Sequence, residues 1–109
     1  MKVIDRVALD SVVERLVACL QPIKVYLYGS HASGTPHAGS DVDLLVVVPA
    51  SDLPPHKRDS AAYACAQGSG IPIELQVYTV EELNRRASVS TSFERSVIDH
   101  GRVLYDAET

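Results

Sequence analysis

The chain has 109 residues, of which 46% are hydrophobic and 22% charged, and its formal net charge is −4. This length holds one domain, residues 1–109, around one core, and the composition excludes a disordered chain. The acidic balance argues against a general nucleic-acid binder, which needs a basic face for phosphate contacts. No apolar run is long enough to span a bilayer, and Met1-Lys2-Val3-Ile4-Asp5-Arg6 lacks the apolar stretch of a signal peptide. The expectation is therefore a cytoplasmic, reduced protein with no membrane partner. Cys19 and Cys65 then read as two separate small buried hydrophobes, not as a disulfide or a metal site.

Leu9, Val12, Val13, Leu16, Val17 and Leu20 recur at helical spacing and predict an amphipathic helix, with Asp5 able to cap its start and Pro22 ending it. A strand over 24–28 follows, with Val25 and Leu27 on one face and Tyr26 and Tyr28 on the other. The loop 33–40 is rich in glycine, proline and small polar residues. A second strand is expected at about 41–48, then a helix entered through Asp52 and Pro54-Pro55 and stopped by Gly68-Ser69-Gly70. A third strand over 71–78 turns Ile73, Leu75 and Val77 one way and Glu74, Gln76 and Tyr78 the other. Thr79-Val80-Glu81-Glu82 predicts a capping box, Thr91-Ser92-Phe93-Glu94 a second one, and Gly101 the end of that helix. A short strand over 102–105 closes the chain. This order predicts an α/β (α+β) fold, a mixed sheet packed with helices.

The densest chemistry lies at the junction of the first two strands, in Gly29-Ser30-His31-Ala32-Ser33-Gly34-Thr35-Pro36-His37-Ala38-Gly39-Ser40-Asp41-Val42-Asp43. Asp41 and Asp43 are two residues apart before the apolar run Leu44-Leu45-Val46-Val47-Val48, so they point to one side of a buried strand. Paired carboxylates there repel each other and resist desolvation, and a hard divalent ion held by oxygens offsets both effects. The Gly29-Ser30 turn offers backbone N–H groups and a hydroxyl to an anion, but the loop carries no lysine and is not a Walker A loop. His31 and His37 flank the loop without a further histidine or cysteine at zinc-finger spacing, and read as exposed loop residues.

The block Gly29-Ser30, short loop, Asp41-x-Asp43, strand resembles the nucleotidyltransferase superfamily related to DNA polymerase β. It is most similar to the minimal nucleotidyltransferases, which often serve as antitoxins of two-gene modules. Ser33 stands where their loop usually carries arginine, which removes a permanent cation near the phosphates. The resemblance implies the minimal, single-domain nucleotidyltransferase fold. It also implies transfer of a nucleoside monophosphate, AMP from ATP, to a hydroxyl with Mg²⁺ or Mn²⁺ as cofactor. Asp41, Asp43 and Glu74 become the catalytic and metal-binding residues, Glu74 standing where the family usually has aspartate. Gly29, Ser30 and Ser40 become the nucleotide contacts, with Gln76 placed to orient a ligand residue. The expected partner is a helical toxin protein encoded next door, with the helices after Thr79 as the contact surface. A homo-oligomer is left open. The alternative is a non-catalytic binding module of the same fold that neutralises its partner by contact.

Overall fold

The computed structural model describes residues 6–29, 32, 41–68 and 70–108. Its elements run α1 (Arg6–Leu20), β1 (Lys24–Tyr28), β2 (Val42–Val48), α2 (Pro55–Ala66), β3 (Ile73–Thr79), α3 (Val80–Ala87), α4 (Phe93–His100) and β4 (Arg102–Asp106). The strands form one mixed sheet in the order β3-β2-β1-β4. β1 is antiparallel to both β2 and β4, whereas β2 and β3 are parallel and joined through α2. Parallel neighbours need such a crossover, and α2 supplies it.

Helices cover both faces of the sheet. On one face Leu9, Val12 and Leu16 of α1 and Ala62 and Ala66 of α2 pack on Val25, Leu27, Leu44, Val46, Leu75 and Val77. On the other, Leu83 of α3 and Val97 of α4 pack on Tyr26, Leu45 and Val47. The run Leu44–Val48 is buried along its whole length because β2 is covered on both sides. The alternation expected for β1 and β3 is observed, with Val25, Leu27, Leu75 and Val77 toward α1 and α2.

α1 ends where Gln21 takes a left-handed conformation (φ 50°) and donates its N–H to the Val17 carbonyl, after which Pro22 bars continuation. The outer edge of β3 is closed by side chains. Tyr63 Oη accepts from the Leu75 N–H (2.9 Å), Asp59 Oδ1 accepts from Val77 N–H (2.8 Å), and Arg58 donates to the Val77 carbonyl (3.1 Å). Edge strands left open are templates for unwanted pairing, and α2 removes that hazard here.

Several sequence expectations are corrected. Both strands that flank the α2 crossover begin later than expected, at Val42 and Ile73, and β4 runs on to Asp106. Thr79 and Glu82 do form a capping box, but Thr91 and Glu94 do not. Ser92 caps α4 by accepting from the Arg95 N–H, and Glu94 turns inward, 7% exposed, to accept from Tyr78. Cys19 and Cys65 are not separate hydrophobes. Side-by-side packing of α1 and α2 brings their Cα atoms to 6.2 Å, and a disulfide joins them. The bridge closes the segment of chain that carries Gly29, Asp41 and Asp43. Among the described residues, no helix is long and apolar enough to cross a membrane. Asp5, Ser30, His31, Ser33, His37, Ser40 and Ser69 lie outside the described residues.

Candidate active site

The register of the sheet builds the site. Tyr28 on β1 lies opposite Asp43 on β2, and Asp43 lies opposite Glu74 on β3. Residues paired across neighbouring strands share a face, so Tyr28, Asp43 and Glu74 form a row across three strands. The next row is Tyr26, Leu45 and Gln76, and the third is Lys24, Val47 and Tyr78. α3 and α4 pack on this face, over Tyr26, Leu45 and Val47. The first row lies at the rim, where Asp43 and Tyr28 are half-buried and Glu74 is exposed. Asp41 precedes β2 and is exposed.

Gly29 fits close against this row. Its φ is +76°, and a Cβ built there would overlap the Asp43 carboxylate. A side chain at this position meets two penalties, left-handed backbone and a steric clash. Gly29→Ala should therefore displace Asp43 and lower the melting temperature by several degrees, consistent with a loss of about 1–3 kcal/mol; a thermal melt and a nucleotide titration check both effects. The Ala32 N–H donates to the Gly29 carbonyl (3.1 Å). A recess of about 260 Å³ lies beside this turn, lined by Tyr28, Gly29, Ala32, Phe93, Ser96 and His100 among others.

Of the expected site residues, the structure brings Asp43 and Glu74 together beside Gly29. Among the described residues, no three His, Cys, Asp or Glu side chains form a ligand set, so Asp41 is not gathered with that pair. The donor chemistry suits a hard cation: two carboxylates at adjacent positions on parallel strands, at an open rim, against a glycine backbone. Mg²⁺ or Mn²⁺ would be held by Asp43 and Glu74, with Asp41 next along the chain.

Tyr28 is the residue that sequence reasoning left without a role. Gln76 Nε2 donates to its oxygen (2.8 Å), and its ring meets Phe93 edge-on at 5.2 Å and 78°. Burial pushes the phenol up to about 12; the Gln76 hydrogen bond works the other way, and the charges of Asp43 and Glu74 add to the rise. Burial raises Tyr78 as well, reinforced by its hydrogen bond to Glu94. Both phenols hold their protons at neutral pH. The available signal was position: Tyr28 is the last residue of its strand, on the face opposite Val25 and Leu27, immediately before Gly29.

Comparisons with known proteins place the family and the fold. No curated protein sequence matches the chain. A solved structure described as a nucleotidyltransferase from Sulfolobus solfataricus superposes with a TM-score of 0.66 at 18% identity, covering 94% of this chain and 80% of its own. That similarity shows the fold. The family model for the nucleotidyltransferase domain matches residues 9–104, which runs from within α1 through Gly29, Asp41 and Asp43 to within β4. With the motif at its place in the sheet and the match running through nearly all of the sequence, the chain belongs to the nucleotidyltransferase-domain family.

Proposed function

We propose that the protein transfers a nucleoside monophosphate, with ATP as donor, to a hydroxyl on a partner protein. The observation that carries this reading is the row Tyr28–Asp43–Glu74 at an open rim beside the Gly29 turn. Asp43 and Glu74 would hold Mg²⁺ or Mn²⁺; Asp41, the third ligand expected from the resemblance, is exposed ahead of β2 and would have to move to join them. That ion, when bound, neutralises triphosphate charge and orients the reacting oxygens. Gly29, Ser30 and Ser40 would contact the nucleotide, the glycine letting the backbone approach the phosphates. Glu74, exposed at the outer strand of the row, would take the acceptor's proton. The acceptor oxygen bonds to the α-phosphorus, the bond to the bridging oxygen breaks, and pyrophosphate leaves.

The partner we infer is a helical toxin protein encoded beside this gene, silenced by the modification. Support comes from the resemblance to minimal nucleotidyltransferases and from the exposure of Phe93 (44%), the first residue of α4, whose ring meets Tyr28 at the border of the site. Exposed large apolar side chains at a site's edge suit a protein contact. The test is incubation with labelled ATP, Mg²⁺ and the product of the adjacent gene, followed by intact mass measurement. The expected result is a partner heavier by whole AMP units. An unmodified partner, with a small hydroxyl compound taking the label instead, would make the protein a stand-alone transferase. The second reading, a non-catalytic module acting by contact, is favoured by Ser33 in place of the family arginine. It predicts a stable complex in which neither chain gains mass.

A further inference from the structure

A polar chain crosses the face of the sheet from α4 to the rim. Glu94, 7% exposed, accepts a hydrogen bond from Tyr78 Oη at 2.7 Å. Tyr78 shares the same proton with Gln76 Oε1 at 3.3 Å, and Gln76 Nε2 donates to Tyr28 Oη at 2.8 Å. The chain joins the third row of the face to the first and leaves the apolar Leu45 and Val47 beside it. Burying a carboxylate and an amide against apolar neighbours is costly unless every group is satisfied, and apolar side chains would pack this face with less to satisfy.

The orientation of Tyr28 is determined from two sides. Phe93 meets the ring edge-on, and Gln76 occupies a lone pair of the hydroxyl oxygen. The hydroxyl proton must then point away from Gln76. Among the described residues, the charged groups that face this phenol are Asp43, its partner across the strand pair, and Glu74. From this geometry we infer that Tyr28 is a positioning residue for the Asp43–Glu74 pair, aimed by the Gln76–Tyr78–Glu94 chain. The inference rests on the nucleotidyltransferase reading above, because it assigns Tyr28 a task only if the pair holds a cation. Groups that hydrogen-bond to metal ligands set ligand orientation, and their loss typically lowers metal affinity by about 10–100-fold.

The test is calorimetric titration of the whole protein with Mn²⁺, in parallel with thermal melting of the metal-free forms. Tyr28→Phe keeps the ring and its contact with Phe93 and removes only the hydroxyl. It should weaken Mn²⁺ binding about tenfold while lowering the metal-free melting temperature by no more than about 5 °C, the effect of one lost half-buried hydrogen bond. Gln76→Leu should weaken Mn²⁺ to a similar degree, and the double variant should be no weaker than either single one, because members of one chain are not additive. Wild-type affinity in Tyr28→Phe would overturn the inference and leave the nucleotidyltransferase reading intact. So would additive losses, or a loss of affinity in proportion to a lost melting temperature, since these mark a packing role. Failure of the wild type to bind Mn²⁺, alone or with ATP, would overturn the reading itself and the inference with it.

Discussion

Asp43→Asn should reduce nucleotidyl transfer about a thousandfold, a loss of ~4 kcal/mol of transition-state stabilisation. The substitution keeps the shape of the side chain and its seat against Gly29, but it removes the charge that the proposed site presents to a cation. Asp43 is the half-buried carboxylate of the row, flanked by Tyr28 on one strand and Glu74 on the other, so no neighbouring carboxylate can move into its place without disturbing the sheet. The fold should survive, since removing one of two adjacent carboxylates relieves repulsion, and stability should stay within about 1 kcal/mol of wild type. Steady-state transfer from labelled ATP, with circular dichroism as the control for folding, gives both numbers. Equal rates for the two proteins would show that Asp43 has a structural task only.

The largest stability effect is expected at the opposite end of β3. Arg58, 6% exposed on α2, donates through both terminal nitrogens to Glu82, at 2.6 and 2.8 Å, and through further N–H groups to the carbonyls of Leu53 and Val77. Glu82 also receives the Thr79 N–H in the capping box that starts α3 (2.9 Å). One ion pair therefore ties α2, the end of β3 and α3. Arg58→Ala leaves a carboxylate and two carbonyls without their donor and should cost about 3–5 kcal/mol, read as a lower urea midpoint.

The same pair predicts an acid response. The Arg58 hydrogen bond, the Thr79 backbone and the Arg58 charge hold Glu82 down at about 2, against an ordinary value of 4.5, with burial opposing them. A carboxyl whose folded value is depressed takes up its proton more readily in the unfolded chain. Its stabilisation is therefore complete above about pH 5 and is lost as the pH falls toward 2. Arg58→Ala should flatten the fall in melting temperature across that window. A wild-type profile already flat from pH 5 to 2 would show that the pair contributes nothing to stability.

Much of this protein is legible before any coordinates. The period-two alternation of Val25, Leu27, Leu75 and Val77 places the strands, and the unbroken apolar run after Asp43 marks β2 as the strand covered on both faces. Gly29 before a short loop and Asp41-x-Asp43 carries the resemblance to the nucleotidyltransferase superfamily, and the family match over residues 9–104 agrees with it. What the sequence alone leaves open is which residues meet. Alternation assigns Glu74 to a face but not to a register, since a slip of two residues along β3 preserves every facing. The pairing of Asp43 with Glu74, and of Asp43 with Tyr28, is decided by how the strands seat against one another. Glu94 shows the same division. Its spacing from Thr91 suits a capping box, yet the carboxylate goes to Tyr78, a partner that only the docking of α4 on the sheet provides. Cys19 and Cys65, and likewise Arg58 and Glu82, stand far apart along the chain and meet only when α1, α2 and α3 take their places around β3 and β2. Local pattern determined the elements and the motif. Long-range packing, which the chain encodes only collectively, decided the register, the disulfide, the part-buried ion pair and the polar chain behind the site.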